Sequence, residues 1–196
     1  MLFSDFPQLV PRKICLSCQG CCRFKDAQSV WRPKVVPDEL AANERKKDLA
    51  QALGKDGYIK TVPLSADRLP LGGTPFGRKE QGHNRCTFLN SGINKCGVYT
   101  GRPFECLLYP FLLTRSDKNG RVTLSVHLSC PYVQQSRYSA EFEKHVGILK
   151  AYLSGEERAR FLRDNPALVG DYSEYHDEIE ELFTLERFQR ETLEPA

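Results

Sequence analysis

Apolar and polar positions divide the chain into segments of different period. Up to about Pro37 the apolar residues follow neither a helical nor a strand repeat, and proline and cysteine are dense, so this opening reads as irregular. Its shape must be imposed by something other than a packed apolar face. From Asp38 the run DELAANERKKDLAQAL is rich in helix formers and predicts one helix between Pro37 and Gly54. GYIKTVPL predicts a short strand, and residues 65–85, with Pro70, Gly72, Gly73, Pro75, Gly77 and Gly82, predict a loop. RCTFL and KCGVY flank SGIN as a small hairpin. YPFLLTR and RVTLSVHL flank SDKNG as a second one, with Asn119-Gly120 as its turn. Val122, Leu124, Val126 and Leu128 alternate with polar residues and predict one buried face.

From Ser136 the period becomes helical. Phe142, Val146, Leu149 and Leu153 mark one face of a helix that ends at Ser154-Gly155, and Glu156 to Asn165 forms a second helix stopped by Pro166. A third is expected after a Ser173 cap, with Ile179, Leu182, Phe183 and Leu193 turned inward. The fold class is therefore expected to be α+β. A small irregular cysteine-rich body with short antiparallel hairpins, residues 12–135, precedes a helical C-terminal appendage, residues 136–196. The appendage reads as packing, and it is also where a protein partner would find a surface.

Composition narrows the class. The longest apolar run, Leu107 to Leu113, is seven residues with Pro110 inside it, far below the roughly 20 residues of a membrane helix. The opening MLFSDFPQLVPRK lacks a basic start followed by an apolar stretch, so no export signal is expected, and the cytoplasm is the expected compartment. Charge is uneven. Residues 171–196 hold nine acidic residues against Arg187 and Arg190, a net of −7, which leaves 26 basic and 16 acidic residues, a net of +10, in residues 1–170. The isoelectric point of about 8.4 is below the value above about 9 expected of a nucleic-acid-binding domain, and no basic stretch alternates with stacking aromatics. Arg12, Lys13, Arg23 and Lys25 flank the first cysteines and are expected to offset thiolate charge.

The chemistry is in eight cysteines: Cys15, Cys18, Cys21 and Cys22 in CLSCQGCC, then Cys86, Cys96, Cys106 and Cys130. Two intervening residues let the backbone fold back so that successive sulfurs turn toward one centre. A redox pair of the thioredoxin kind needs a strand before and a helix after, and the pattern predicts neither. Metal ligation is the expectation, with all eight cysteines as candidates. Cys22 is set apart, because adjacent residues do not easily bind one ion; a second centre and a buried thiol are both open to it. His83 and His127 each stand three residues before a cysteine, although on a strand that spacing puts His127 and Cys130 on opposite faces. Phe24, Trp31, Phe88, Tyr99, Phe104, Tyr109 and Phe111 are expected to form a dry shell around the metal.

The string C-x-x-C-x-x-C-C, followed by RCTFLNSGINKCGVYTGRPFECLLYPF, resembles the YkgJ-type cysteine-cluster family of zinc- or iron-chelating domains. The second half is similar in order: a cysteine before Phe88-Leu89, another before Val98-Tyr99, then Arg102-Pro103, Cys106 and Pro110. The resemblance spans roughly residues 12–131. It implies that Cys15, Cys18, Cys21, Cys22, Cys86, Cys96 and Cys106 are ligands. Leu107 departs from it, since an arginine often follows that cysteine, and the helices after residue 136 lie outside it.

Spacing bears on which metal. Structural zinc usually takes two separated pairs, whereas three cysteines in C-x-x-C-x-x-C with a remote Cys-Pro, here Cys130-Pro131, resemble ferredoxin ligation. A [4Fe-4S] cluster is therefore favoured over zinc, and zinc stays open. The expected function is metal chelation in a structural or storage role. The alternative is an iron-sulfur oxidoreductase, or a protein-modifying or maturation enzyme that draws electrons from the cluster. The sequence shows no glycine-rich nucleotide loop, no H-E-x-x-H and no nucleophile elbow, and so names no catalytic residue.

Overall fold

A computed structural model describes residues 3, 5–18, 20–64, 84–90, 92–93, 95–116 and 121–186. Residues 65–83 of the loop expected at 65–85, with His83, the Asn119-Gly120 turn and Leu193, lie outside these residues; the end of that loop is corrected, since Asn84 and Arg85 are in a strand that pairs on both sides. Helices and short antiparallel sheets alternate, so the architecture is α+β. Among the described residues no helix is long and apolar enough to cross a membrane. The chain forms two compact units, Met1–Leu108 and Tyr109–Ala196.

The first unit opens with α1 (Arg12–Cys18) and a 3-10 turn, Gly20–Cys22, before β1 (Arg23–Phe24). The expectation of an irregular opening is corrected here. Pro11 stands just ahead of α1, and its carbonyl accepts the N–H of Ile14 and of Cys15 at 2.9 and 3.0 Å, which starts the helix without an apolar repeat. The single helix expected over 38–53 is also corrected: it is α2 (Pro37–Ala42) and α3 (Lys46–Ala52). Asn43 separates them, because its Oδ1 accepts the Arg45 N–H at 2.8 Å and its Nδ2 donates to the Gly101 carbonyl at 3.1 Å. A side chain that satisfies backbone groups in this way competes with helix continuation. Gly101 has to be glycine for that approach, since a Cβ there would come within 2.7 Å of Asn43 Oδ1.

The strands of this unit are short. β3 (Asn84–Cys86) runs antiparallel between β1 and β2 (Thr61–Pro63). β4 (Leu89–Asn90) and β5 (Lys95–Cys96) make the expected small hairpin, with Leu89 opposite Cys96. α4 (Phe104–Leu108) closes the unit. Its core joins Phe24, Val35, Leu49, Ile59, Leu89 and Val98 to Cys86, with Cys22, Cys96, Trp31 and Phe88 packed against them.

The second unit is a three-stranded antiparallel sheet in the order β6 (Phe111–Arg115), β7 (Val122–His127), β8 (Ile179–Thr184), with α5 (Pro131–Ser136), α6 (Ala140–Leu153) and α7 (Glu156–Asp164). The hairpin register pairs Phe111 with Val126 and Leu113 with Leu124. Phe111 and Phe142 stack with centroids 5.9 Å apart, which places α6 on the apolar face. Ser136 ends α5, and Ser139 caps α6 by accepting the Phe142 N–H at 3.2 Å.

Two expectations fail in this unit. All six positions of β7 are buried rather than one face. Thr114 Oγ1 lies 2.8 Å from Thr123 Oγ1 and 2.7 Å from Ser125 Oγ, so the hydroxyls satisfy one another and can leave water. The third helix is absent at 179–184, where β8 pairs with β7 through Leu124 with Phe183 and His127 with Ile179. The open edge of β7 supplies backbone partners there, and pairing overrides a helix-like spacing. Leu124, fully buried in the central strand, is the cleanest test of this core. Leu124→Ala should cost about 2–5 kcal/mol, read from the shift of the urea midpoint.

Candidate metal centre

Seven of the eight candidate cysteines belong to the first unit, and each is delivered by a defined local structure. Cys15 and Cys18 are three residues apart on α1, which puts them on one helical face. Cys21 and Cys22 follow on the 3-10 turn. Cys86 ends β3, Cys96 ends β5, and Cys106 is the third residue of α4. The turns after Cys86 and Cys96 have a common feature. The Cys86 sulfur accepts backbone N–H groups of Phe88 and Leu89, and the Cys96 sulfur accepts that of Val98. Such donors favour the thiolate, which is the form that binds metal.

Burial opposes that form. It raises Cys15 and Cys86 to about 11 each, and it raises Cys96 and Cys106 as well. Cys22 is raised mainly by the hydrogen bond that ties its thiol to Cys21, and then by burial. The thiols also act on each other. Cys21 makes ionisation harder at Cys15, Cys22, Cys86, Cys96 and Cys106, which identifies it as the neighbour that all five share. Arg102 pulls the other way at Cys15, Cys96 and Cys106. Its guanidinium lies 4.1 Å from the centroid of the Tyr99 ring, and that of Arg12 lies 4.7 Å from the same centroid. Arg23 feels the charge of Cys22. Of the four cations expected to offset thiolate charge, Arg23 is therefore beside a thiol, and Arg102 adds a second that the flanking pattern did not reveal.

The donor set is sulfur-rich and suits zinc or an iron-sulfur group. It is gathered rather than closed: among the described residues no group of three or more His, Cys, Asp or Glu side chains is drawn together as an ion would require. Cys130 is buried in the second unit at the start of α5. His127 is also in that unit, with Nδ1 3.0 Å from Tyr109 Oη and Nε2 3.2 Å from Glu178 Oε2, so both ring nitrogens have partners. Of the expected aromatic shell, Phe24, Trp31 and Phe88 pack with Cys22, Cys86 and Cys96, whereas Tyr109 and Phe111 belong to the second unit.

With this geometry in view, the comparisons with known proteins are decisive on one point. The family model CxxCxxCC, described as "Putative zinc- or iron-chelating domain", matches residues 14–131, more than half of the chain. The chain belongs to the CxxCxxCC family. The matched segment takes in all eight cysteines and ends before α6, α7 and β8. The chain is also similar to an uncharacterized protein of Methanocaldococcus jannaschii, MJ0661, at 27% identity over 73% of this chain and 71% of that protein. No solved structure gives a significant match. Zinc or iron chelation is thus the property by which this CxxCxxCC protein's family is described, and it agrees with the thiol-rich site.

Two buried carboxyls beside the site were not legible beforehand. Burial raises Glu39 to about 8, against the hydrogen bond from the Phe104 N–H, and Glu105 nearby raises it further. Burial raises Glu105 to about 7, against the Lys34 N–H and the Lys34 charge. The sequence offered no signal for Glu39, which sits in a run of charged residues that looks solvated.

Proposed function

We propose that the first unit chelates iron as a [4Fe-4S] cluster through thiolates drawn from Cys15, Cys18, Cys21, Cys22, Cys86, Cys96 and Cys106, in a structural or metal-holding role. The observation that carries this reading is the position of Cys21 as common neighbour of five other thiols within one buried neighbourhood. The sequence spacing favours a cluster over one ion, since structural zinc usually takes two separated pairs, whereas Cys15, Cys18 and Cys21 form one C-x-x-C-x-x-C run of the ferredoxin kind.

The chain's own residues then have separable tasks. The turns after Cys86 and Cys96 aim backbone N–H groups at sulfur, which lowers the cost of ionising those thiols. Arg102 and Arg23 offset the charge of the thiolates. Phe24, Trp31 and Phe88 limit water at the sulfurs packed against them. Bound there, an iron-sulfur group would supply a redox couple, and zinc a redox-inert tetrathiolate.

The test is metal and sulfide analysis of protein purified without oxygen, with absorption spectra before and after dithionite. Iron with matching sulfide and a spectrum bleached by dithionite are expected. Stoichiometric zinc without sulfide would reject the cluster and leave zinc chelation, and the absence of both metals would reject the site. The proposal is confined to the first unit, so Cys130→Ser should retain full metal content.

A further inference from the structure

Glu39 is 3% exposed, and its two oxygens are used unequally. Oε1 accepts the backbone N–H of Phe104, while Oε2 is buried without a hydrogen-bond partner. Burying this carboxyl costs desolvation free energy, and backbone N–H groups at two places offset it: Val36, just ahead of its own helix α2, and Phe104, 65 residues on. The Phe104 bond is the one that reaches the cysteine-bearing helix, where it satisfies one of the N–H groups left open as α4 begins. α4 is only five residues long, far shorter than the roughly 12–15 residues at which a helix becomes marginally stable by itself. Its orientation has to come from outside.

Two further links join the same stretches of chain. The Lys34 N–H donates to Glu105 Oε2 at 2.6 Å, and Asn43 Nδ2 donates to the Gly101 carbonyl at 3.1 Å. Residues 34–43 thus hold residues 101–105 through contacts in which no sulfur takes part, and Cys106 is the next residue. We infer that Glu39 is the positioning residue of Cys106, fixing the turn that presents its sulfur to the metal centre. The inference rests on the ligand role proposed above for Cys106.

Glutamine at position 39 keeps an oxygen acceptor for the Phe104 N–H, and it matches the uncharged acid that burial favours at neutral pH. Alanine keeps neither acceptor nor volume, and methionine keeps volume without an acceptor. Zinc affinity of the full chain, read by chelator competition, would be compared for Glu39→Gln, Glu39→Ala, Glu39→Met, Cys106→Ser and Glu39→Ala with Cys106→Ser. Alanine and methionine should weaken binding by about 10- to 100-fold, the usual loss when a group that supports a ligand is removed. Glutamine should bind like the parent. In the Cys106→Ser background Glu39→Ala should cost nothing more, because residues that act as one unit do not add.

If alanine unfolds the unit, methionine carries the same test with the cavity filled. Parent-like affinity in the methionine variant, a glutamine variant as weak as methionine, or additive losses in the double variant would each overturn the role of Glu39 while leaving Cys106 a ligand. Parent-like affinity in Cys106→Ser would instead remove the ligand role of Cys106, and the inference with it.

Discussion

Cys21→Ser should lower the affinity for iron or zinc by more than about 100-fold, beyond what loss of a merely supporting group costs. Each of the thiols Cys15, Cys22, Cys86, Cys96 and Cys106 is harder to ionise because Cys21 is near. Cys21 is thus the thiol common to the surroundings of the other five, and whichever of them would hold the metal, its loss removes a donor from their midst. Serine is nearly the same size, but its hydroxyl does not give up its proton near neutral pH and is a hard, weak ligand. The fold's packing is therefore spared while the donor is lost. Chelator competition and metal content per chain check the result. Cys18→Ser, which removes the middle sulfur of the run, should behave alike; full metal content in either variant would defeat the assignment of the centre.

Stripping the metal should collapse protection in the first unit and leave the second unit's helices intact. The core of the first unit is small, and three of its packing groups, Cys22, Cys86 and Cys96, are thiols. Structural zinc in small peptides contributes on the order of 10–16 kcal/mol, which matches or exceeds the roughly 5–15 kcal/mol of a whole domain. Hydrogen exchange by segment would show protection lost over 12–36 and kept over α6 and α7; equal protection of 12–36 with and without metal would refute it.

Stability of the first unit should depend on pH through the metal. Bound thiolates are held deprotonated, whereas in the unfolded chain the thiols keep their ordinary value of 9.0, so protons compete with the metal and stability falls on acidification. Thermal melts of metal-loaded protein from about pH 8 down to about 5 would show the first unit's transition move to lower temperature; a transition that does not move over that range would count against thiolate ligation.

Much of this protein was legible in short windows. The spacing of Cys15, Cys18, Cys21 and Cys22 singled out a candidate thiol donor set, and the structure places these four in the same unit as Cys86, Cys96 and Cys106. The strand alternation of 122–128 and the helical repeat of 142–153 likewise located β7 and α6, because each period is imposed by backbone geometry within the segment itself.

What was not legible depends on residues far away in sequence. DELAANERKKDLAQAL has the propensity of one helix, and it breaks at Asn43 because the Gly101 carbonyl, 58 residues on, takes that side chain. Ile179, Leu182 and Phe183 fit a helical face equally well, and only the free edge of β7 makes them a strand. Glu39 reads as a surface charge until Phe104 closes over it. By itself, then, the sequence determined which atoms are candidates for binding metal and the period of the hairpin strands and of α6, since spacing and propensity act over a few residues. Tertiary structure alone decided where helices end, which thiols face Cys21 and which carboxyl holds Cys106 in place, because each of these is a choice among partners that only the folded chain brings within reach.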